Sequence, residues 1–267
     1  MAEPTVHDAR WIRRPHPVSA PAIRLVCFPH AGGSASFFFP VSAALSGSGS
    51  VEVLAVQYPG RQDRRLDPCI DDIDTLAEQV YRALKPWTDI PLAFFGHSMG
   101  AIVAFEVARR FEERDGIVLT MLFASGRRAP SRHRDENVHT RGDNALVAEL
   151  RSLSGTDSAL LGDEEVLRMI LPAIRGDYRA IETYRCATEV TVRSPITVLV
   201  GDDDVKTTVE EARDWARHTT ASCETRVFSG GHFYLTAHRI AVIDLIAESL
   251  LSVSGPRTDQ PAAQGQP

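Results

Sequence analysis

The chain has 267 residues, of which 43% are hydrophobic and 24% charged, and its formal net charge is -6. This length suits one domain with a substantial core, so we expect a single domain over residues 1–253. The acidic balance argues against nucleic-acid binding, which needs clustered Lys and Arg, and no apolar run is long enough for a signal peptide or a membrane span. We therefore expect a cytoplasmic protein.

Short β-type runs alternate with helical stretches along most of the chain, which is typical of a mostly parallel sheet with helices on both faces. The strands are predicted at Ile23 to Phe28, Val51 to Val56, Leu92 to Phe95, Val118 to Phe123, Ile196 to Val200 and Glu224 to Phe228. The helices are predicted near residues 36–45, 72–85, 99–114, 208–219 and 237–251.

The alternation stops between about residues 131 and 191, where no convincing strand occurs. One helical face there carries Leu146, Leu150 and Leu153, and a longer apolar stripe runs from Leu167 to Ile181 in steps of three and four residues. Pro172 lies inside the stripe and should kink the helix or end it. We interpret 131–191 as a helical lid insertion, with an extra packing layer as the alternative.

The last residues, 254–267, are rich in Pro, Gly, Gln and Ala. Such a composition buries too little apolar surface to become ordered. We expect a disordered tail.

The strongest local signal is Gly96-His97-Ser98-Met99-Gly100, which follows an apolar strand pattern and precedes a helical one. A nucleophile elbow needs this strand, turn and helix context, because the glycines permit a sharp turn that exposes the serine hydroxyl. Ser98 is therefore the candidate nucleophile. His97 flanks it and is the weaker of two candidates for the base.

A serine hydroxyl needs a base to accept its proton and an acid to orient that base, and in this fold they follow in the order Ser, Asp or Glu, His. His232 follows a late strand and a Gly-rich turn, which makes it the candidate base. Asp202, Asp203 and Asp204 all lie in one loop after the strand at 196–200, and spacing alone does not separate them.

Two backbone amides should stabilise the oxygen of the tetrahedral intermediate. One is the amide of Met99, directly after the nucleophile, and the other should come from the loop after the first strand, where we select Ala31 in Pro29-His30-Ala31-Gly32-Gly33. The Gly pair could instead cap the next helix or hold a phosphate, although the Lys of a phosphate loop is missing. No HExxH-type metal spacing and no GxGxxG motif is present, so we expect neither a metal nor a cofactor.

Taken together, these motifs resemble the type II thioesterases of polyketide and non-ribosomal peptide assembly lines, over about residues 24–251. The matching segments are FPHAGGSASFF at 28–38, QYPGRQDR at 57–64, FFGHSMGAIVAFEVAR at 94–109, LPAIRGDYRAIETY at 171–184 and GGH at 230–232. PHAGG and YPGR are far more specific than GxSxG, because general hydrolase chemistry requires neither.

The resemblance implies an α/β-hydrolase fold with a mobile helical lid. It also implies hydrolysis of acyl thioesters from the phosphopantetheine arm of acyl or peptidyl carrier proteins, which clears stalled or aberrant units. The family's acid corresponds to Asp204, although Val205 stands where the family has a proline and Asp202 remains the alternative. Because the sequence starts with Met and has no upstream carrier segment, we expect a standalone enzyme rather than the release domain of a synthase.

Two arginine-rich segments, 60–65 and 126–134, follow predicted strands and should lie at the same sheet edge as Ser98. A carrier protein is usually acidic, so we expect Arg61, Arg127 and Arg128 to contribute to docking, unless they are simply solvated.

Three other functions remain open at this stage. A small-molecule carboxylesterase would share the catalytic residues, and an acyltransferase would pass the acyl group to an alcohol or amine. A non-catalytic binding member of the fold would have no need of the full Ser, Asp and His set.

Overall fold

The computed structural model describes residues 10–153 and 163–253, and its framework is a seven-stranded sheet. The strand order is β1-β3-β2-β4-β5-β6-β7, and every neighbouring pair is parallel except the antiparallel pair of β1 and β3. The strands are β1 Ile12–Arg13, β2 Ile23–Phe28, β3 Val51–Val56, β4 Leu92–His97, β5 Met121–Ser125, β6 Ile196–Gly201 and β7 Cys223–Phe228. The predicted mostly parallel sheet is confirmed.

Helices connect the strands and cover both faces of the sheet. They are α1 Phe39–Ser46, α2 Ile73–Leu84, α3 Met99–Asp115, α4 Asp143–Leu153, α5 Glu164–Thr183, α6 Val209–Arg213, α7 Tyr234–Ala237 and α8 Arg239–Val253. Within the described ranges, none of these helices is long and apolar enough to cross a membrane. The predicted tail, 254–267, lies outside the described residues.

The core forms on both faces of the sheet because neighbouring side chains of a strand point to opposite sides. In β2, Val26 and Phe28 join one apolar cluster with α2 and α3, while Leu25 and Cys27 join a second cluster with α8. A strand buried on both faces needs a nearly continuous apolar run rather than an alternating one, and in β2 only Arg24 interrupts the run.

The insertion builds a small core of its own from its two predicted helices. Seven buried residues of α4, α5 and the segment before them form this third cluster: Val138, Leu146, Val147, Leu150, Leu171, Ile174 and Tyr178. Asp163 caps α5, since its carboxylate accepts the backbone N–H groups of Glu165 and Val166. Among the described residues of 131–191 there is no strand, as predicted.

Several element boundaries differ from the predictions. The two-residue β1 was not predicted, because it is too short to carry a periodic pattern, and the strand predicted at 118–123 runs instead from Met121 to Ser125. The helix predicted at 208–219 becomes 3-10 after Arg213. Helix α5 continues through Pro172, so the expectation that proline ends it is wrong, and a kink there stays a prediction.

Candidate active site

Ser98 occupies the sharp turn between β4 and α3. Its backbone angles, φ 56° and ψ -121°, are strained for a residue with a side chain. The flanking glycines are sterically required, because a Cβ on Gly96 would lie 2.2 Å from the oxygen of Gly100, and a Cβ on Gly100 would lie 2.1 Å from the oxygen of Phe28. The chain can turn this tightly only without those two side chains.

Three side chains from separate loops form a hydrogen-bonded row at the carboxyl edge of the sheet. His232 Nε2 lies 3.0 Å from Ser98 Oγ, and His232 Nδ1 lies 2.9 Å from Asp204 Oδ2. Asp204 and His232 are buried, whereas the serine is half-buried and accessible. This is the geometry in which a carboxylate fixes the tautomer of an imidazole that faces a hydroxyl.

The structure distinguishes the three candidate acids, which all lie in the loop after β6. Asp204 accepts the backbone N–H of Lys206 at 2.8 Å in addition to His232, and its position is therefore held from two sides. Asp202 instead accepts the backbone N–H of Gly230 at 2.8 Å, and Asp203 is exposed. Asp204 is the residue of this loop that contacts the histidine.

The two predicted oxyanion amides lie where the elbow meets the loop after β2. Met99 is the first residue of α3, so its N–H has no partner inside the helix. The close approach of Gly100 to the oxygens of Phe28 and Pro29 brings that loop, and Ala31 with it, against the elbow. The described residues provide neither amide with an acceptor.

A buried ion pair holds the loop that carries Ala31. Asp177 on α5 accepts the backbone N–H of Gly32 at 2.7 Å and both terminal nitrogens of Arg61, at 2.6 and 2.9 Å. Arg61 also donates to the oxygen of Gly33 at 3.2 Å. The PHAGG loop, the YPGR loop and the insertion are thus joined through one carboxylate.

Two further histidines lie beside the row and are held neutral. Burial, with a smaller contribution from the charge of His232, lowers the pKa of His97 well below its usual value. Its Nδ1 hydrogen-bonds with Ser125 Oγ at 2.9 Å, whereas His232 is the histidine hydrogen-bonded to Ser98. Burial also lowers the pKa of His30 to about 3, with smaller contributions from His232 and Arg61.

A pocket of about 560 Å³ opens above Ser98. The insertion forms one wall with apolar and aromatic side chains, Leu150 and Leu153 of α4 and Tyr178 and Ile181 of α5. The remaining lining residues are His30, Ala31, Arg127, Glu136, Glu182, Lys206, His232 and Phe233. The site therefore combines an apolar wall with a charged one.

The arginines expected at the docking surface are inside the protein, so that expectation is wrong. Arg61 and Arg127 are only 9% exposed and Arg128 is 1% exposed. Arg61 pairs with Asp177, and Arg128 donates to Glu136 at 2.8 Å. Their loops do follow parallel strands, but the guanidinium groups of Arg61 and Arg128 turn inward, where carboxylates and carbonyl oxygens replace water.

Asp177 is a residue of the site that was not predicted from the sequence. A signal was available, because it lies next to Tyr178 and three residues after Ile174, inside the apolar stripe that predicted α5. A carboxylate on a buried helix face needs a partner, and the YPGR arginine was a candidate. The described residues contain no group of three or more His, Cys, Asp or Glu side chains suited to a metal ion.

Comparison with known proteins identifies the family. The thioesterase domain family matches residues 23–250. A probable cadicidin biosynthesis thioesterase of Streptomyces griseus is 56% identical over 242 residues, which are 91% of this chain and 66% of that protein. Thioesterase PikA5 of Streptomyces venezuelae is 49% identical over 251 residues, which are 94% of this chain and 89% of that protein.

A solved structure is similar over almost the same span. The type II thioesterase BorB from the borrelidin biosynthetic cluster is 53% identical, with a TM-score of 0.84, and the match covers 90% of this chain and 97% of that one. The chain belongs to the thioesterase domain family, and it is a type II thioesterase with the α/β-hydrolase fold.

Proposed function

We propose that this protein removes acyl groups from the phosphopantetheine thioesters of acyl or peptidyl carrier proteins in polyketide or non-ribosomal peptide synthesis, and so clears stalled or aberrant units. The observation that carries the proposal is the hydrogen-bonded row of Ser98, His232 and Asp204 at the base of a pocket, in a chain similar to biosynthesis thioesterases. The reaction would take place in the cytoplasm.

In the first step, Ser98 Oγ attacks the carbonyl carbon of the thioester while His232 Nε2 accepts its proton. The tetrahedral intermediate then expels the thiolate sulfur, which takes that proton and leaves as the free thiol of the arm. The carbonyl is now an ester of Ser98. Asp204 stays ionised and stabilises the imidazolium that forms between the two proton transfers.

In the second step, water attacks the ester carbonyl and His232 again accepts the proton. Collapse of the intermediate returns the proton to Ser98 Oγ and releases a carboxylic acid. In both steps the amides of Met99 and Ala31 would bind the negative oxygen, and each such donor contributes about 2.7 to 4 kcal/mol of transition-state stabilisation. These steps use side chains, backbone amides and water, and the phosphopantetheine belongs to the substrate.

The insertion serves as the lid in this proposal. Its two helices, α4 and α5, supply the apolar wall of the pocket, and their packing cluster includes partly buried Ala31 of the oxyanion loop. A lid placed here would control the access of water to the pocket, and it would select the acyl chain through Leu150, Tyr178 and Ile181.

The test compares one acyl group attached to three leaving groups of different chemistry. The purified protein is incubated with butyryl-loaded acyl carrier protein, with the butyryl thioester of N-acetylcysteamine, and with the matching butyryl oxyester. The proposal predicts the highest kcat/KM for the loaded carrier and the lowest for the oxyester. A higher value for the oxyester would favour the carboxylesterase function. A butyryl ester or amide formed in place of butyrate when an alcohol or amine is added would favour the acyltransferase.

A further inference from the structure

Lys206 joins the insertion to the loop that carries the candidate acid. It lies two residues after Asp204, and its backbone N–H donates to Asp204 Oδ1 at 2.8 Å. Its backbone oxygen accepts a hydrogen bond from the guanidinium of Arg128 at 3.0 Å. The backbone of Lys206 is therefore held on both sides, and its side chain extends from a fixed point.

The ammonium group of Lys206 lies between two carboxylates of the insertion. Its Nζ donates to Glu136 Oε1 at 2.9 Å and forms an ion pair with Glu149 Oε1 of α4. The side chains of Lys206, Glu136 and Glu149 are 14%, 19% and 17% exposed, so solvent ions screen these pairs only in part. Lys206 thus ties the first helix of the insertion directly to the acid loop.

The two carboxylates differ in how much they rely on Lys206. Burial would raise the pKa of Glu136, but hydrogen bonds from Lys206 and from Arg128, the latter at 2.8 Å, outweigh it and lower the pKa to about 2. Near Glu149, the second cation is Arg141, which belongs to the insertion itself and lies at the longer distance of 3.8 Å. Of these contacts, the pair of Lys206 and Glu149 is therefore the link between α4 and the core.

An open cleft lies beside this ion pair, between the end of α4 and the loops of the candidate acid and base. Ser152 and Leu153 line it from α4, and Val205 lines it from the acid loop. The cleft meets the active-site pocket at three shared lining residues, Leu153, His232 and Phe233. The position of α4 therefore sets the width of a passage that reaches His232 from outside.

We propose that Lys206 and Glu149 form a latch that holds the lid helix α4 closed over this cleft, and that the lid opens at this end when the ion pair breaks. The inference rests on the lid of the proposed function and assigns its moving edge to α4. Helix α5 is the fixed edge, because its Asp177 binds Arg61 and its Ile181 packs in the main core. Lys206 is thus a positioning residue for the lid.

Hydrogen–deuterium exchange of the α4 amides measures this opening without any substrate, so the result does not depend on which thioester the protein cleaves. Wild type is compared with Lys206→Met, with Glu149→Gln and with the variant that carries both changes. Asp143→Asn is the matched control, because it neutralises a carboxylate of the same helix whose partner, Arg175, lies within the insertion. Thermal melts check that every variant is folded.

We expect the protection of the α4 amides to fall about threefold to tenfold in each single variant, because the pair is less exposed than a surface ion pair. The double variant should lose little more than either single variant, since both changes break the same pair. Asp143→Asn should keep the protection of the wild type, and the α5 amides of residues 174–183 should keep theirs in every variant.

Unchanged α4 protection in Lys206→Met and Glu149→Gln would overturn the proposal. Losses that add in the double variant would also overturn it, because the two residues would then act independently. So would an equal loss in Asp143→Asn, or a loss that spreads equally to α5, since the effect would not arise from the link to the acid loop. Hydrolysis of the loaded carrier by the wild type tests the proposed function separately.

Discussion

Asp177→Asn tests whether the insertion holds the PHAGG loop, which carries the proposed oxyanion donor Ala31, through one buried carboxylate. The change preserves the shape of the side chain but removes the charge that faces Arg61. Because it leaves the guanidinium buried without a counterion, we expect the free energy of unfolding to fall by about 3 to 5 kcal/mol. Such a domain has a total stability of about 5 to 15 kcal/mol, and the loss does not exceed this, so the variant should be destabilised but still folded at 25 °C.

Catalysis should suffer as well, because the same carboxylate accepts the Gly32 N–H beside Ala31. Removing an oxyanion donor outright costs about a hundredfold to a thousandfold in kcat. A loosened donor should cost less, so we expect kcat to fall by about tenfold to a hundredfold, with KM changing little. Urea unfolding gives the stability, and steady-state hydrolysis of a butyryl thioester gives kcat and KM.

Asp71→Asn is the matched control, because Asp71 forms an exposed ion pair with Arg179, which lies on α5 like Asp177. Exposed pairs contribute about 1 kcal/mol or less, so this variant should keep its stability and its kcat. If Asp177→Asn behaved like the control in both assays, the buried ion pair would neither stabilise the fold nor hold the loop.

Three further predictions concern the acid, the elbow and the pH dependence of stability. Asp204→Asn should lower kcat by about 10⁴-fold, because it disturbs the hydrogen bond that orients His232. Asp202→Asn affects a hydrogen bond from a backbone N–H instead and should keep most of the activity. Comparable losses of kcat for the two variants in steady-state assays would contradict the assignment of Asp204 as the acid. Gly100→Ala should lower stability in thermal melts by about 3 kcal/mol or more, because its Cβ would collide with a backbone oxygen of β2. Gly47→Ala is its control and should be nearly neutral, since its Cβ has no contact shorter than 3.5 Å. The pKa of His30 is about 3 in the folded protein and 6.5 for a free imidazole, so unfolding takes up a proton between these values and stability falls as the pH falls from 6.5. His30→Gln should reduce the dependence of the unfolding free energy on pH, by at most about 1.4 kcal/mol per pH unit. The free energy is measured by urea titration at pH 6.5 and at pH 4.5. The same difference between the two pH values in wild type and variant would show that His30 does not cause the fall.

The sheet was largely predictable because strands buried on both faces require mostly apolar runs, and β2 and β3 each contain one charged residue, Arg24 and Glu52. Ile23–Phe28 and Val51–Val56 have the predicted bounds, since turn-forming sequence flanks each run. The strand predicted at 118–123 was misplaced, because Val118 and Leu119 continue the apolar pattern without joining the ladder. Local composition does not tell which residues of an apolar run find a partner strand.

The positions around Ser98 were predictable because the elbow requires two glycines and the order of the loops follows from the fold. The environment of the arginines was not, since spacing shows that a loop reaches the sheet edge but not whether its side chains turn inward. Arg61 turns inward because Asp177, more than a hundred residues later, provides a buried counterion. Contacts that link distant segments in this way determine burial, and they leave little trace in local composition.

The proposed function depends most on Ser98-dependent release of an acyl group from a carrier protein. Wild-type protein and Ser98→Ala protein are incubated separately with butyryl-loaded carrier, and the intact mass of the carrier is followed over time. We expect the butyryl mass to disappear with the wild type and to persist with Ser98→Ala, while free butyrate accumulates only with the wild type. Loss of the acyl mass at the same rate with both proteins would contradict the proposed function, because the serine would then not be the nucleophile.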